Sequence, residues 1–314
     1  MLTRRHIRIK VMQSLYAFYQ SDYQDLEKQE KFLRYSILQM KDLTALMLHL
    51  MVAVRNHAQN YLEKSQQKLL ATEQDKNPSR SFIDNKVIAM IAKHPELQQF
   101  LKNQKLNHWE KDDEYVAILF KNLRAEPFYE EYLSIKKPSF KEDVDFVSEF
   151  YKQVIAPNDK LYEYLEDQRL TWLDDFPLVN TSLVKILDKV QPNKGHRIFN
   201  PEVFKNEDDK EYSVQLLRKV ILNDDSLSQA IDGKTPNWDQ DRIADLDMII
   251  LKLGIAEFLY FPSIPLRVTI NEYLEIAKEY STPKSSVFIN GILDKLAKEY
   301  EEEGKLNKIG RGLT

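Results

Sequence analysis

"DRIADLDMIILKLGIAEFLYFPSIPLRVTINEYLEIAKEYS", residues 241–281, repeats apolar residues at three- and four-residue spacing on both sides of Pro262 and Pro265. That spacing is helical, and two prolines so close together end one helix and start another. The chain continues "TPKSSVFINGILDKLAKEYEE" (282–302), where Val287, Phe288, Ile289, Ile292, Leu293 and Leu296 hold helical phase through Asn290-Gly291. Asn-Gly ordinarily signals a hairpin turn. Here the unbroken phase predicts a helix in which Gly291 permits close packing. Three consecutive helices are thus expected, near 239–260, 265–280 and 283–302. Asn237 or Asp239 caps the first, Trp238 is a core or staple residue, and the acids of the first turns suit the macrodipole.

The same periodicity extends outward to nearly the whole chain. Helices are expected at 4–21, at 25–70 (one long or two shorter), and around 82–93, 95–106, 110–124, 127–134, 141–155 and 208–222. Polar, proline-containing breaks fall at 72–81 and 135–140, and "VQPNKGHRIFNP" (190–201) is the clearest linker. The acid-free end, 305–314, reads as a flexible basic tail. Only 7 glycines occur in 314 residues, too few for the tight strand-to-helix turns of an α/β fold, so an all-α fold is predicted. Sliding the chain by 66 residues overlays 150–165 on 216–231 without a gap, and Trp172 then meets Trp238, which suggests a partial internal repeat.

Composition narrows the function. Cysteine is absent, which removes disulfides, thiol nucleophiles and cysteine metal sites. The six histidines are scattered with no ligand spacing, no phosphate-binding glycine loop occurs, and Asp239, Asp241, Asp245 and Asp247 have no nearby histidine. No enzyme, metal or cofactor is therefore expected. The most apolar run, 43–54, is short and holds His49, so no segment is expected to approach a membrane span. The first residues lack a signal-peptide pattern, so a cytoplasmic protein is expected. A net charge of −4 restricts any nucleic-acid binding to a local patch.

One such patch is visible in "TRRHIRIKVMQSLYAFYQSD" (3–22), which holds Arg4, Arg5, Arg8 and Lys10 before its first carboxylate. On a helix, Ile7, Val11, Leu15 and Phe18 form one apolar stripe, with Arg5, Ile9, Met12 and Tyr16 beside it. Arginines at a helix N-terminus oppose the macrodipole. Stability alone would favour acids there, whereas arginine forks suit phosphate and an adjacent tyrosine suits a stacked base.

The motifs "DRIADLDMIILKLGIAEFLY", "IPLRVTINEYLEIAKEYS" and "FINGILDKL", with the opening "RRHIRIKVMQSLY", resemble the NusB family of bacterial transcription antitermination factors in order and spacing. The resemblance covers roughly 1–24 and 205–304, which would form a discontinuous RNA-binding core, with 25–200 as a helical insertion. It implies two three-helix bundles, no catalysis and no cofactor. It further implies binding of single-stranded RNA of the boxA type together with NusE, a small-subunit ribosomal protein, and through these an indirect link to the RNA polymerase elongation complex. By the same resemblance Arg4, Arg5 and Arg8 contact RNA phosphates, Tyr16 lines the site, and Lys284, Ser285 and Phe288 complete it from the turn before the last helix. Lys284 stands where the family often has an acid, and His6 where some relatives have arginine. The competing reading is a helical protein–protein scaffold of the transcription or ribosome-assembly machinery with a vestigial RNA site.

Overall fold

A computed structural model describes residues 2–21, 25–67, 76–200, 202–232, 234 and 244–313. Among them are fifteen α-helices and no strand. In chain order these begin with α1 (Arg4–Tyr19), α2 (Leu26–Gln66), α3 (Lys86–Ala92), α4 (Pro95–Asn103) and α5 (His108–Lys111). Next come α6 (Asp113–Ala125), α7 (Pro127–Ser134), α8 (Phe140–Phe150), α9 (Asp159–Gln168) and α10 (Phe176–Leu187). The last five are α11 (Glu207–Leu222), α12 (Asp224–Asp232), α13 (Asp245–Tyr260), α14 (Leu266–Tyr280) and α15 (Pro283–Glu302). The chain groups into two compact units, Met1–Ile37 with Phe204–Thr314, and Leu38–Val203. The division falls inside α2 rather than at residue 25. Asp25 caps α2, accepting from the amides of Glu27 and Lys28 at 2.9 and 3.2 Å. The first turns of α2 then bind the first unit, through Gln29 to the Ser14 carbonyl and an ion pair of Glu30 with Arg218.

In the first unit α13 is buried on nearly every side, and α1, α14 and α15 pack around it. Gly254 lets α15 approach. A Cβ there would stand 2.8 Å from Leu293 Cδ2, closer than side-chain carbons pack. The close-packing glycine is thus Gly254 and not Gly291, whose added Cβ would meet nothing because that position faces solvent. Val287, expected in the apolar phase, is likewise on the outside. The cap of α13 is Ala244 without a side-chain bond. Asn237, Trp238, Asp239 and Asp241 lie outside the described residues.

The chain end, expected to fray, lies against this unit. Lys308 Nζ donates to the carbonyls of Glu257, Phe261 and Ile264 at 3.3, 3.1 and 2.8 Å. The Glu257 and Phe261 carbonyls also accept from the Phe261 and Ile264 amides, so Lys308 is a second donor at the close of α13. The Ile309 amide adds a bond to the Pro262 carbonyl at 3.1 Å. Burial lowers the Lys308 pKa, with Glu257 opposing. Lys308→Met is expected to destabilise the protein by about 1.5–3 kcal/mol, since it deletes charge-assisted bonds from a half-buried ammonium to three carbonyls. Urea unfolding measures this, and an unchanged midpoint would show the tail to be detached in solution.

The second unit forms around the later part of α2, whose Leu43, Leu46, Met47, Leu50 and Met51 are all buried. By length and composition α2 is apolar enough to cross a membrane, and 72% of that window is buried inside the structure. The expectation that no segment approaches a span is corrected in that respect. It counted only the uninterrupted apolar run, whereas a core helix interleaves apolar with small and amide residues. Trp109 and Trp172 donate their indole N–H groups to α2 carbonyls, those of Leu46 and Gln39, at 2.9 and 2.8 Å. Asn85 starts α3 by accepting from the amides of Val87 and Ile88, which places that start later than periodicity alone suggests. Ser139 and Glu142 form a capping box on α8, which then runs into a single π-turn, Tyr151–Ile155. Phe82, Tyr129, Tyr132, Phe146 and Phe150 form an aromatic cluster beside these elements. Of the overlaid pairs, Val154 and Val220, and Leu161 and Leu227, are buried at both positions.

Candidate nucleic-acid interface

Helix α1 starts at Thr3, whose side chain accepts from the His6 amide. It is not a one-sided amphipathic helix. Residues 7 to 12 are all buried, including Arg8 and Lys10. The expected stripe of Ile7, Val11, Leu15 and Phe18 is buried, and burial extends beyond it because α1 packs against α11, α13 and α14 together. A helix enclosed on several sides must bury polar residues too, and these need partners.

Arg8 finds its partner in Glu257 of α13. With 2% of its side chain exposed and Glu257 fully enclosed, it donates from Nε and Nη2 to the carboxylate at 2.8 and 3.1 Å. A third bond runs from Nη1 to Glu272 at 3.3 Å. Glu257 also accepts from Thr269 Oγ1 at 2.7 Å, from the Tyr273 hydroxyl at 3.2 Å, and from the Tyr212 hydroxyl. The Arg8 guanidinium lies 5.8 and 5.7 Å from the ring centres of Tyr212 and Tyr273, a cation between two π faces. Burial works against the charge of Arg8, but Glu257 outweighs it and the pKa rises. Burial and the Glu257 carboxylate also hold both phenols well above their ordinary range. Arg8 therefore fixes α1 onto α13, and its burial rules it out as a direct contact to RNA in this structure.

Arg4 and Arg5 differ from it in being reachable. Each keeps 40% of its side chain exposed while pairing with a carboxylate, Arg4 with Asp209 and Arg5 with Glu272, both at 2.8 Å. The hydrogen bond that Arg5 donates to Glu272 raises the Arg5 pKa. Such part-exposed pairs are weak, typically about 0–1 kcal/mol, so a competing anion can displace them. The two arginines line an open groove of about 1190 Å³ with Thr3, His6, Lys205 and Asn206, with an edge of Arg8, and with the acids Asp208, Asp209 and Glu272. Burial, then the charges of Arg5 and Lys10, lower the His6 pKa to about 4. His6 is thus neutral at pH 7 and adds no charge to the groove.

The remaining candidates lie elsewhere along α1 and α15. Thr282 caps α15, accepting from the Ser285 amide at 3.2 Å, and the two hydroxyls meet at 2.9 Å. Ser285 and Phe288 are buried, whereas Lys284 is exposed. Their positions follow from the helix directions. Arg8 meets Glu257 near the end of α13, and Gln20 donates to Asp245 at its start, at 2.9 Å. So α1 and α13 run antiparallel. Ser281 donates to Asp247 at 2.6 Å, which sets the start of α15 beside the start of α13. The arginines and the Lys284 turn thus occupy opposite ends of α13, about 15 Å apart along its axis, and are not facing walls of one small site. Tyr16, 44% exposed, lies on the half of α1 nearer Lys284. Eleven positions separate Arg5 and Tyr16, about three turns, so both emerge on the same face of α1.

Sequence reading missed the counter-ions of these arginines: Asp209, Glu257 and Glu272. Glu257 carried one usable signal, being the lone charge in "LGIAEFLYF". A carboxylate in an apolar run must be paired. Among the described residues no three His, Asp or Glu gather as a metal-binding set.

Comparison with known proteins bears on the C-terminal part of the chain, which includes Lys284, Ser285 and Phe288 but not α1. A model described as the NusB family matches residues 180–298. A "Transcription antitermination protein NusB" of Chloroherpeton thalassium is 42% identical over 105 residues, covering 33% of this chain and 50% of that protein. The protein of the same name from Salinibacter ruber is 36% identical over 104 residues, covering 33% and 65%. That from Methylacidiphilum infernorum is 45% identical over 91 residues, covering 29% and 64%. The chain thus spans less than two thirds of the length of these relatives. A solved structure of T. maritima NusB matches with 24% identity and a TM-score of 0.31, covering 55% of this chain and 98% of that one. Residues 180–298 of this all-α chain match the NusB family model, and the relatives that the chain resembles carry that family's name.

Proposed function

We propose that this protein is a cytoplasmic transcription antitermination factor of the NusB type, acting by RNA recognition and not by catalysis. Its RNA is a boxA-type single strand of nascent ribosomal transcripts, bound together with NusE and so linked to the elongating polymerase. Residues 1–24 and 205–304 hold the RNA-binding core, and 25–200 is an insertion within it. The observation that carries the reading is that Arg5 and Tyr16 are reachable near the two ends of α1 in the same helical phase, with the buried Ile9 and Met12 between them. A phosphate clamp and a stacking face at that spacing suit an extended strand of several nucleotides. Arg4 and Arg5 pair with phosphates after release from Asp209 and Glu272. Tyr16 stacks on a base, and Lys284 adds charge further along. Ser285 and Phe288 hold the turn that presents Lys284, and Arg8 holds the helix that presents the others.

The test is Arg5→Glu, titrated against a boxA-type RNA with and without NusE. Affinity is expected to fall on the order of tenfold, and the log–log salt slope by about 0.7, the value of one phosphate contact to a single strand. Arg5 is part-exposed, so helicity and the unfolding midpoint stay close to those of the parent. Equal affinity and equal slope in the two proteins would refute this assignment of Arg5.

A further inference from the structure

The Leu38–Val203 unit carries a concentration of positive charge that the reading above does not use. Helix α10 ends at Leu187, and the chain turns through 188–194 into a short 3₁₀ segment, Gly195–Arg197. Lys185, Lys189, Lys194 and Arg197 line an open groove of about 550 Å³ there. All four are exposed. The single carboxylate in its lining, Asp188, is already held by the Ser148 hydroxyl and by Lys152 Nζ, the latter at 3.2 Å. None of the four cations forms an ion pair with a carboxylate among the described residues. In a chain of net charge −4, four such cations in one groove are a local reversal of sign. Lys185 and Lys189 have a structural explanation, since cations suit a helix C-terminus. Lys194 and Arg197, beyond the helix, have none.

We propose that this groove binds the phosphate backbone of single-stranded RNA, giving the protein a second nucleic-acid contact on its inserted region. The inference rests on the RNA reading of the first unit. The chemistry of the lining selects the occupant. Three of the four cations are lysines, a residue depleted at protein–protein interfaces, and the lining holds no aromatic anchor of the kind that fixes a protein partner. The lining offers no ring for a base, and beside its apolar floor, Ile186, Val190 and Ile198, its one uncharged polar side chain is Gln191. Contact is therefore mainly to phosphate and sugar, with little dependence on sequence, and its strength depends on salt through counterion release. Such a contact extends the length of strand held without narrowing its sequence.

The test compares the full-length protein with a K185E/K189E/K194E/R197E variant. All four positions are exposed, and far-UV circular dichroism with urea unfolding checks that the variant folds. Both proteins are titrated over a range of salt with an unstructured RNA of about 40 nucleotides, several times the usual single-strand site. The variant is expected to bind at least tenfold more weakly, with a log–log salt slope smaller by about 2–3, corresponding to three or four lost phosphate contacts. If the parent binds with a steep slope and the variant matches it, the groove proposal is overturned while the first-unit reading stands. If Arg5→Glu and the quadruple variant both match the parent, both readings fail. If the variant keeps RNA affinity but loses affinity for a polyglutamate peptide that the parent binds, the occupant is an acidic protein and the proposal is overturned.

Discussion

Glu257→Ala is expected to lower the stability of the protein by about 3–5 kcal/mol, the cost of leaving a buried charge without its partner. The carboxylate is fully enclosed and neutralises Arg8, which is itself 2% exposed. Its removal strands the guanidinium and also frees three hydroxyls, those of Tyr212, Thr269 and Tyr273. The other carboxylate bonded to Arg8 is Glu272, which already holds Arg5. Arg8→Glu is expected to be as severe, since it sets two carboxylates against each other in the same enclosure. Replacing both partners by apolar residues of similar size, Arg8→Met with Glu257→Leu, should restore much of the loss, because each single change includes the cost of the abandoned partner. Urea unfolding of the two single variants and the double closes the cycle. Single-variant losses below about 1 kcal/mol, or strict additivity in the double, would show that the pair is not formed as described. The same result explains why Arg8 is unsuitable for testing RNA binding: a lost signal would report unfolding.

Trp172→Ala carries the second largest expectation, about 3–5 kcal/mol, and acts in the Leu38–Val203 unit. Trp172 is fully buried, donates to the Gln39 carbonyl at 2.8 Å and lies 4.8 Å beneath the guanidinium of Arg169. Arg169 in turn pairs with Asp42 of α2 at 2.5 Å. Deleting the indole opens a large cavity and removes a hydrogen bond to a carbonyl of the core helix. Trp172→Phe keeps most of the apolar volume and loses only the hydrogen bond, so its cost should be nearer 1–3 kcal/mol. The ordering of the two variants is the diagnostic outcome. Equal effects of Phe and Ala would mean that the hydrogen bond, and not the packing, dominates.

Much of the local structure was legible from residue types. Prolines 262 and 265, the Thr282-Pro283 start of α15 and the Ser139–Glu142 box are signals whose physics lies within a few residues. The helices they delimit appear close to the expected bounds. Legibility failed where the cause was distant in sequence. Helices α9 and α10 were not anticipated, because proline, tryptophan and short turns interrupt the period between 157 and 190. Gly291 looked like a packing residue because the phase of its neighbours was right. Only the neighbouring helix reveals that the close approach is made at Gly254 instead.

The candidate site divides along the same line. The basic helix start, the exposed Tyr16 and the cap of α15 can be read from short stretches, because they depend on one helix at a time. The sequence by itself determined an all-helical protein with arginines gathered at its first helix and a NusB-like C-terminal part. The tertiary structure alone decided what each arginine does. Arg8 and Glu257 are separated by 249 residues, and no local pattern encodes such a pairing. It arises because α1 and α13 pack antiparallel, which encloses Arg8, leaves Arg4 and Arg5 part-exposed, and sets the Lys284 turn at the far end of the bundle. Burial and ion pairing are properties of neighbours in space, so a row of similar cations became one internal tie and two surface groups.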